Sequence, residues 1–339
     1  MANLQPVRTG GGTTGDAERV AGPAPGDAAE DSVLGLERRR RHPRLGRTGE
    51  LVLLCGPPLA LFILFVLVPI GLAAYHSLFN WVGFAPRTFN GLHNYVVAIE
   101  DPVFRSSILH NVIIAVLSVA IQLPVSIGLA LLLNRNLKGQ AAMRLLIFAP
   151  YVVSEAISAV LWLLMLQPGG AVDVAMKAVG LGGLVQLWLG NPHIVLYTMF
   201  GVITWKYIGF GIILLLAGLQ GIPSELTEAA RIDGATSAQV TRHITLPLLG
   251  PTIRIWIFLS VIGSFQLFDL VWIMTSGGPA NASSTMVTYL IHNGFNSYEF
   301  GYGSAVAVIL FVICFVFALL YQRFALRRDT AGALTAMAG

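Results

Sequence analysis

Residues 220–251 read QGIPSELTEAARIDGATSAQVTRHITLPLLGP. The stretch is too polar to cross a bilayer and too regularly patterned to be a passive linker. Ser224 is a good helix N-cap, and Glu225 and Glu228 in the first turns complement the helix dipole. Residues 228–232, EAARI, are strongly helix-forming, and Gly234 is placed to end that helix. A second short helix is expected from about Thr236 to His243, ahead of Leu246-Pro247. The expected product is a helix–glycine–helix knob with alanines on one face and acids on the other. It serves either as an amphipathic interfacial hairpin or as a docking element for a partner.

On both sides of this knob the chain turns strongly apolar. Of 339 residues, 55% are hydrophobic and only 11% are charged, with a mean hydropathy of +0.72. That composition excludes an ordinary soluble enzyme and a disordered chain. Six stretches are long and apolar enough to span a bilayer: 51–75, 108–133, 145–166, 194–219, 255–275 and 302–321. Three carry no Asp, Glu, Lys or Arg, and the others carry Glu155, Lys206 and Asp269 respectively. Seventeen lysines and arginines fall in segments on one side and three (Arg87, Arg105 and Lys177) on the other. The positive-inside rule then places both termini in the cytoplasm. Residues 1–45, rich in Gly, Pro, Ala and Thr with Arg38–Arg41 near their end, read as a disordered basic cytoplasmic tail. The transmembrane domain is expected over 46–328, followed by a short cytoplasmic tail at 329–339.

Catalytic chemistry is not written in this chain. It contains no GxxxxGK[ST], HExxH or GxSxG pattern, and no two of its seven histidines lie three or four residues apart. Cys55 and Cys314 sit in apolar runs with no metal-ligand spacing, so they read as thiols buried in lipid or in protein. The basic balance is accounted for by membrane orientation and gives no reason to expect a nucleic-acid partner.

Glu228, Ala229 and Ala230, then Gly234, then Ile244, Leu246 and Pro247 are spaced as in the EAA loop of the integral membrane subunits of bacterial ABC importers, which this stretch resembles. The likeness extends from about Gly49 to Phe324. Residues 89–95 (FNGLHNY) resemble the first outer loop of sugar-type permeases. Trp205-Lys206, Gly209-Phe210, residues 216–220 (LAGLQ) and Ile222-Pro223 are similar to the fourth span and its exit. Residues 263–266 (GSFQ), Phe268-Asp269, residues 275–279 (TSGGP) and residues 301–305 (GYGSA) resemble the fifth span, its outer end and the start of the sixth. The chain is identified as a member of the maltose-type carbohydrate permeases, specifically the first-position partner, whose relatives include glycerol-3-phosphate permeases. Val240 departs from the pattern, where the family usually carries an aromatic.

The resemblance implies an all-α membrane protein of six spans in the bacterial cytoplasmic membrane, with no catalytic residues. It implies a heterodimer with a second EAA-type permease, a dimeric cytoplasmic ATPase and an extracytoplasmic solute-binding protein. No cofactor or metal is bound directly, and the ATP is used by the ATPase. Glu228, Ala229, Ala230, Asp233, Gly234, Ile244, Leu246 and Pro247 would form the coupling loop. Lys206, Tyr207 and Phe210 in the fourth span, with Ser260, Gly263, Ser264 and Leu267 in the fifth, match the substrate-lining stretches of maltose-type permeases. The four fifth-span positions recur at helical spacing. The solute is expected to be a carbohydrate, with glycerol-3-phosphate or another polyol phosphate as the alternative and a channel or membrane enzyme as a remote one. Lys206 has two open roles, contact with solute or pairing with Asp269 or Glu155; no family role carries over to Glu155 itself.

Overall fold

The computed structural model describes residues 47–83, 85–135 and 138–326. The expected tails at 1–45 and 329–339 lie outside the described residues. The chain divides into two units, 1–61 and 62–339. Of the first, the described part is helical, the beginning of α1 (Arg47–Phe62).

In the second unit α2 (Val68–His76) leads to a two-residue hairpin, β1 (Phe79–Asn80) paired antiparallel with β2 (Thr88–Phe89). Asn94, in α3 (His93–Glu100), donates to the carbonyls of Ser77 at 2.8 Å and Phe79 at 2.9 Å, which fixes this outer loop to the helix. The helices α4 (Pro102–Leu117) and α5 (Leu123–Leu133) follow, then α6 (Gln140–Val152), α7 (Glu155–Leu166) and α8 (Ala171–Ala178). The long α9 (Val195–Gln220) ends at the polar loop, which holds α10 (Ser224–Ile232), α11 (Ser237–Val240) and α12 (Leu246–Leu248). The chain continues through α13 (Gly250–Phe265), α14 (Asp269–Thr275), α15 (Met286–Leu290) and α16 (Phe300–Tyr321).

Among the described residues four helical stretches are long and apolar enough to cross a membrane: Leu51–His76, Pro102–Leu133, Val195–Gln220 and Phe300–Ala325. Two bent pairs bring the number to as many as six. One is α6 with α7, turned by 96°, and the other joins Ser237–Leu248 to α13 at 63°. The expected third span, 145–166, is therefore not a straight helix. Pro150 removes a backbone donor from α6. Val153 and Ser154 are then extended, and the Ser154 hydroxyl caps a new helix by accepting from the Ile157 amide at 3.2 Å. The expected fifth span, 255–275, is interrupted at residues 266–268. There the Ser264 carbonyl accepts from Asn111 Nδ2 at 2.6 Å and the Leu267 carbonyl from the Thr285 hydroxyl at 2.9 Å.

Three π-helical turns, Ile63–Leu67, Ser118–Gln122 and Thr241–Thr245, each end two residues before a proline: Pro69, Pro124 and Pro247. A proline ring clashes with the carbonyl four residues back, and widening the turn relieves that clash.

Two buried cores lie along α9. Its first half (Val195, Leu196, Met199, Val202, Ile203) packs with Ile114, Ala159, Leu166, Leu270, Val271 and Met274. Its second half (Ile212, Leu215, Leu216, Leu219) packs with Leu123, Ala130, Leu133, Leu249 and Trp256. Midway, α9 meets α6 so closely that a Cβ on Gly209 would collide with the Ile147 carbonyl. A third core joins Ala98, Phe104, Phe265, Met286, Tyr289 and Val306.

Beyond α7, Asp173 is buried; it accepts from the Gly169 amide and the Trp188 indole, both at 2.8 Å. These two bonds, the Gly169 amide foremost, hold its carboxyl below the ordinary carboxylate range. A carboxylate depressed in the folded state adds stability above its unfolded pKa and loses it as pH falls through the folded value. Thermal unfolding in detergent is expected to show falling stability below about pH 4. Asp173→Asn should make that acid-dependent loss smaller; an unchanged slope would show that Asp173 does not carry it.

Candidate functional site

Between the two cores of α9 lies a cavity of about 420 Å3. Tyr207, Phe210, Ser260, Gly263, Ser264 and Leu267 all line it, so the structure brings together six of the seven positions expected from the fourth and fifth spans. Residues 260, 263 and 264 share one face of α13, and Leu267 reaches the same wall although it lies past the end of that helix. The size falls within the range of small-molecule sites. Tyr151 stacks on Phe210 with ring centroids 5.0 Å apart and stands edge-on to Tyr207 at 6.2 Å, making one side of the cavity aromatic. The Ser264 hydroxyl donates to the Ser260 carbonyl at 2.8 Å and keeps its own acceptor capacity.

Lys206 does not line this cavity. It is 2% exposed, and its ammonium donates to the carbonyls of Pro150 (2.9 Å), Tyr151 (3.1 Å) and Val153. These are orphan acceptors at the end of α6, where no following turn supplies donors. Of the two roles left open by the sequence, neither solute contact nor a carboxylate pair describes its bonds. The cation caps a broken helix.

Glu155, to which no family role carries over, is part of the cavity wall. It is the first residue of α7 and accepts a hydrogen bond from the Tyr207 hydroxyl. Ser118 and Gln122, at the two ends of a π-helical turn, also line the cavity, as do Tyr151, Trp256 and Gln266. The sequence signals for these positions were Leu123-Pro124 and Pro150, which mark irregular backbone inside apolar runs.

The polar loop has the expected helix–glycine–helix form. Gly234 adopts φ +85°, and the Ala235 amide reaches back to the Ala230 carbonyl at 2.9 Å. Only glycine takes that conformation without strain. One detail differs: Pro223 is the N-cap of α10, and Ser224 is its first residue with no capping bond. Thr236 caps α11 through a reciprocal pair with Gln239. Glu228, Ala229, Asp233, Gly234 and Pro247 are exposed, and Ile232 is 86% exposed. Ala230, Ile244 and Leu246 are half-buried, while Val240 is buried within the loop. Among the described residues no cluster of side chains is suited to hold a metal ion.

Residues 122–330, which include this loop and most of the cavity wall, match the family described as binding-protein-dependent transport system inner membrane component. The chain belongs to that family. It is 34% identical over 79% of its length to 93% of the probable ABC transporter permease protein YurN of Bacillus subtilis (strain 168). To the trehalose/maltose transport system permease protein MalF of Thermococcus litoralis it is 33% identical, over 84% of this chain and 96% of that one. A chain of a bacterial ABC transporter involved in the import of the acidic polysaccharide alginate has the same fold, with a TM-score of 0.71 at 24% identity over 82% of this chain and 95% of that one. The protein is thus an integral membrane permease subunit of an ABC importer, a transport component rather than an enzyme.

Lys206→Met removes the donor for three carbonyls at the break. Leaving even one buried acceptor unpaired costs about 1–3 kcal/mol. The variant should show a lowered melting temperature in detergent and reduced yield of folded protein. A variant as stable as the parent would show that water replaces the ammonium at this break.

Proposed function

We propose that this chain forms one half of the membrane channel of an importer that carries a mono- or oligosaccharide into the cytoplasm. The observation that carries the reading is the cavity between the two cores of α9. It combines aromatic faces, suited to sugar rings, with the hydroxyls of Ser260 and Ser264 and the carboxylate of Glu155, suited to sugar hydroxyls. The trehalose/maltose permease among its relatives supports the same solute class. The polyol-phosphate alternative drew on Lys206 as a cation, and that ammonium is engaged by backbone carbonyls.

In this reading the chain crosses the cytoplasmic membrane six times, each bent helical stretch contributing to one crossing, with both termini and the 220–251 loop on the cytoplasmic side. The domain occupies 46–328 between the two tails. A second EAA-type permease completes the channel, a solute-binding protein delivers the sugar from outside, and an ATPase dimer receives α10 of each permease. This chain contributes no ATP site and no bound cofactor or metal. Exposed Glu228, Ala229, Asp233 and Ile232 form the docking surface, and Gly234 turns the chain back so that Ile244, Leu246 and Pro247 join the loop to α13. The ATPase closes on nucleotide, and the two docked helices convert closure into movement of the membrane halves. The sugar favours one access state only through contacts that differ between states.

Two experiments test this. With Cys55 and Cys314 replaced by serine, Thr88→Cys should react with an impermeant thiol reagent added outside intact cells. Ser237→Cys should react only after permeabilisation; reaction of both from outside overturns the orientation. In the assembled transporter, Glu228→Lys should leave insertion and amount unchanged, because the residue is exposed and lies outside every span. Binding-protein-stimulated ATP hydrolysis and sugar uptake should fall to the basal level. Normal uptake by this variant overturns the docking role of α10.

A further inference from the structure

In the solute cavity Glu155 brings a negative charge as well as a hydrogen-bond acceptor. Among the described residues lining it, Glu155 is the only Asp, Glu, Lys or Arg. The rest of the wall is hydroxyl, amide, aromatic or aliphatic. The cation nearest by design, Lys206, sits behind the wall with its ammonium turned onto the carbonyls of Pro150, Tyr151 and Val153. Those carbonyls, at the negative end of α6, take the ammonium's hydrogen bonds, while its charge also acts on Glu155 from outside the cavity lining. Glu155 opens α7. Asp269, the first residue of α14, acts electrostatically on the same Tyr207 hydroxyl and adds a second negative charge nearby. Tyr207 engages Oε1 of Glu155, which leaves acceptor positions on the carboxylate for a further donor.

Resting on the reading of this cavity as the solute pathway, we propose that Glu155 makes this wall a charge filter. It favours neutral and amino-bearing sugars, whose hydroxyl or ammonium groups donate to the carboxylate, over sugars that carry carboxylate or phosphate. In a cavity walled by protein the field of a carboxylate on the wall reaches a solute several ångströms away, because the effective dielectric is far below that of water.

The test needs no knowledge of the natural sugar. In the assembled transporter, with Cys55 and Cys314 replaced by serine, Ser260→Cys places a thiol on the cavity wall. Its reaction rates with cationic, anionic and neutral methanethiosulfonates are measured and divided by each reagent's rate with a free thiol in solution. The cationic reagent should react at least about tenfold faster than the anionic one. Adding Glu155→Gln should cut that ratio by at least about threefold while leaving the neutral reagent's rate within about a factor of two, and Glu155→Asp should retain most of the ratio. An anionic reagent that reacts as fast as the cationic one overturns the proposal, as does a ratio untouched by Glu155→Gln. Failure of the neutral reagent to react is a different result: it overturns the solute-pathway reading itself.

Discussion

The site depends on one ammonium group. A helix broken inside an apolar environment leaves carbonyls that water cannot reach, and irregular backbone survives there only where protein supplies the missing donors. Lys206 supplies them to Pro150, Tyr151 and Val153 at the junction of α6 and α7. One bond set therefore ties the central helix α9 to the break. The consequences are local and specific: Tyr151 is placed against Phe210, and Glu155 against Tyr207. Gly209, three residues along α9, removes the Cβ that would hold the two backbones apart at Ile147. A buried cation and a missing side chain together set the distance between α6 and α9, and that distance opens one wall of the cavity.

The opposite wall belongs to α13, and it links the cavity to the polar loop. Leu249, fully buried in the second core, anchors the turn between α12 and α13. From there the helix carries Trp256, Ser260, Gly263 and Ser264 past the cavity in one unbroken run. A close-packed helix of this length moves as a body rather than by bending. Under the proposed transport cycle, a displacement of α10 by the ATPase would reach the cavity wall through this path. The irregular segment at 266–268 interrupts the helix just beyond the cavity, so α14, packed on α7, need not follow.

Much of this was legible in the residues. Glu228, Ala229, Ala230, Gly234 and Pro247 stood at a spacing that identified the loop, because its turn is local and depends on one glycine. The cavity face of α13 was implied by the resemblance to maltose-type permeases, and the helical spacing of its positions agreed. Lys206 was legible as an exception, a lone charge in a long apolar run, but its partners were not. A search for its mate among side chains finds Glu155 and Asp269, whereas the actual acceptors are backbone carbonyls that any residue possesses. Those carbonyls became available only because Pro150 and the Val153-Ser154 junction end α6. Glu155 was legible as a lone charge but not as part of the wall, for the related reason that its position comes from opening a helix at the break, a tertiary fact with no local signature beyond the preceding serine cap.

Breaks also explain why the cavity lies where it does. Three irregular segments border it: the π-helical turn at Ser118–Gln122, the extended pair Val153-Ser154 and the unwound stretch at 266–268. Two of them are held by buried donors from other elements, Lys206 for one and Asn111 with Thr285 for the other. Asn111 and Thr285 are fully buried and Lys206 nearly so. The polar residues beside these breaks play two different parts. Lys206, Asn111 and Thr285 donate to the backbone, whereas Glu155, Ser260 and Gln122 stand on the wall itself. An isolated polar residue in a span thus locates the broken helix first, and the solute only through the surface which that break exposes.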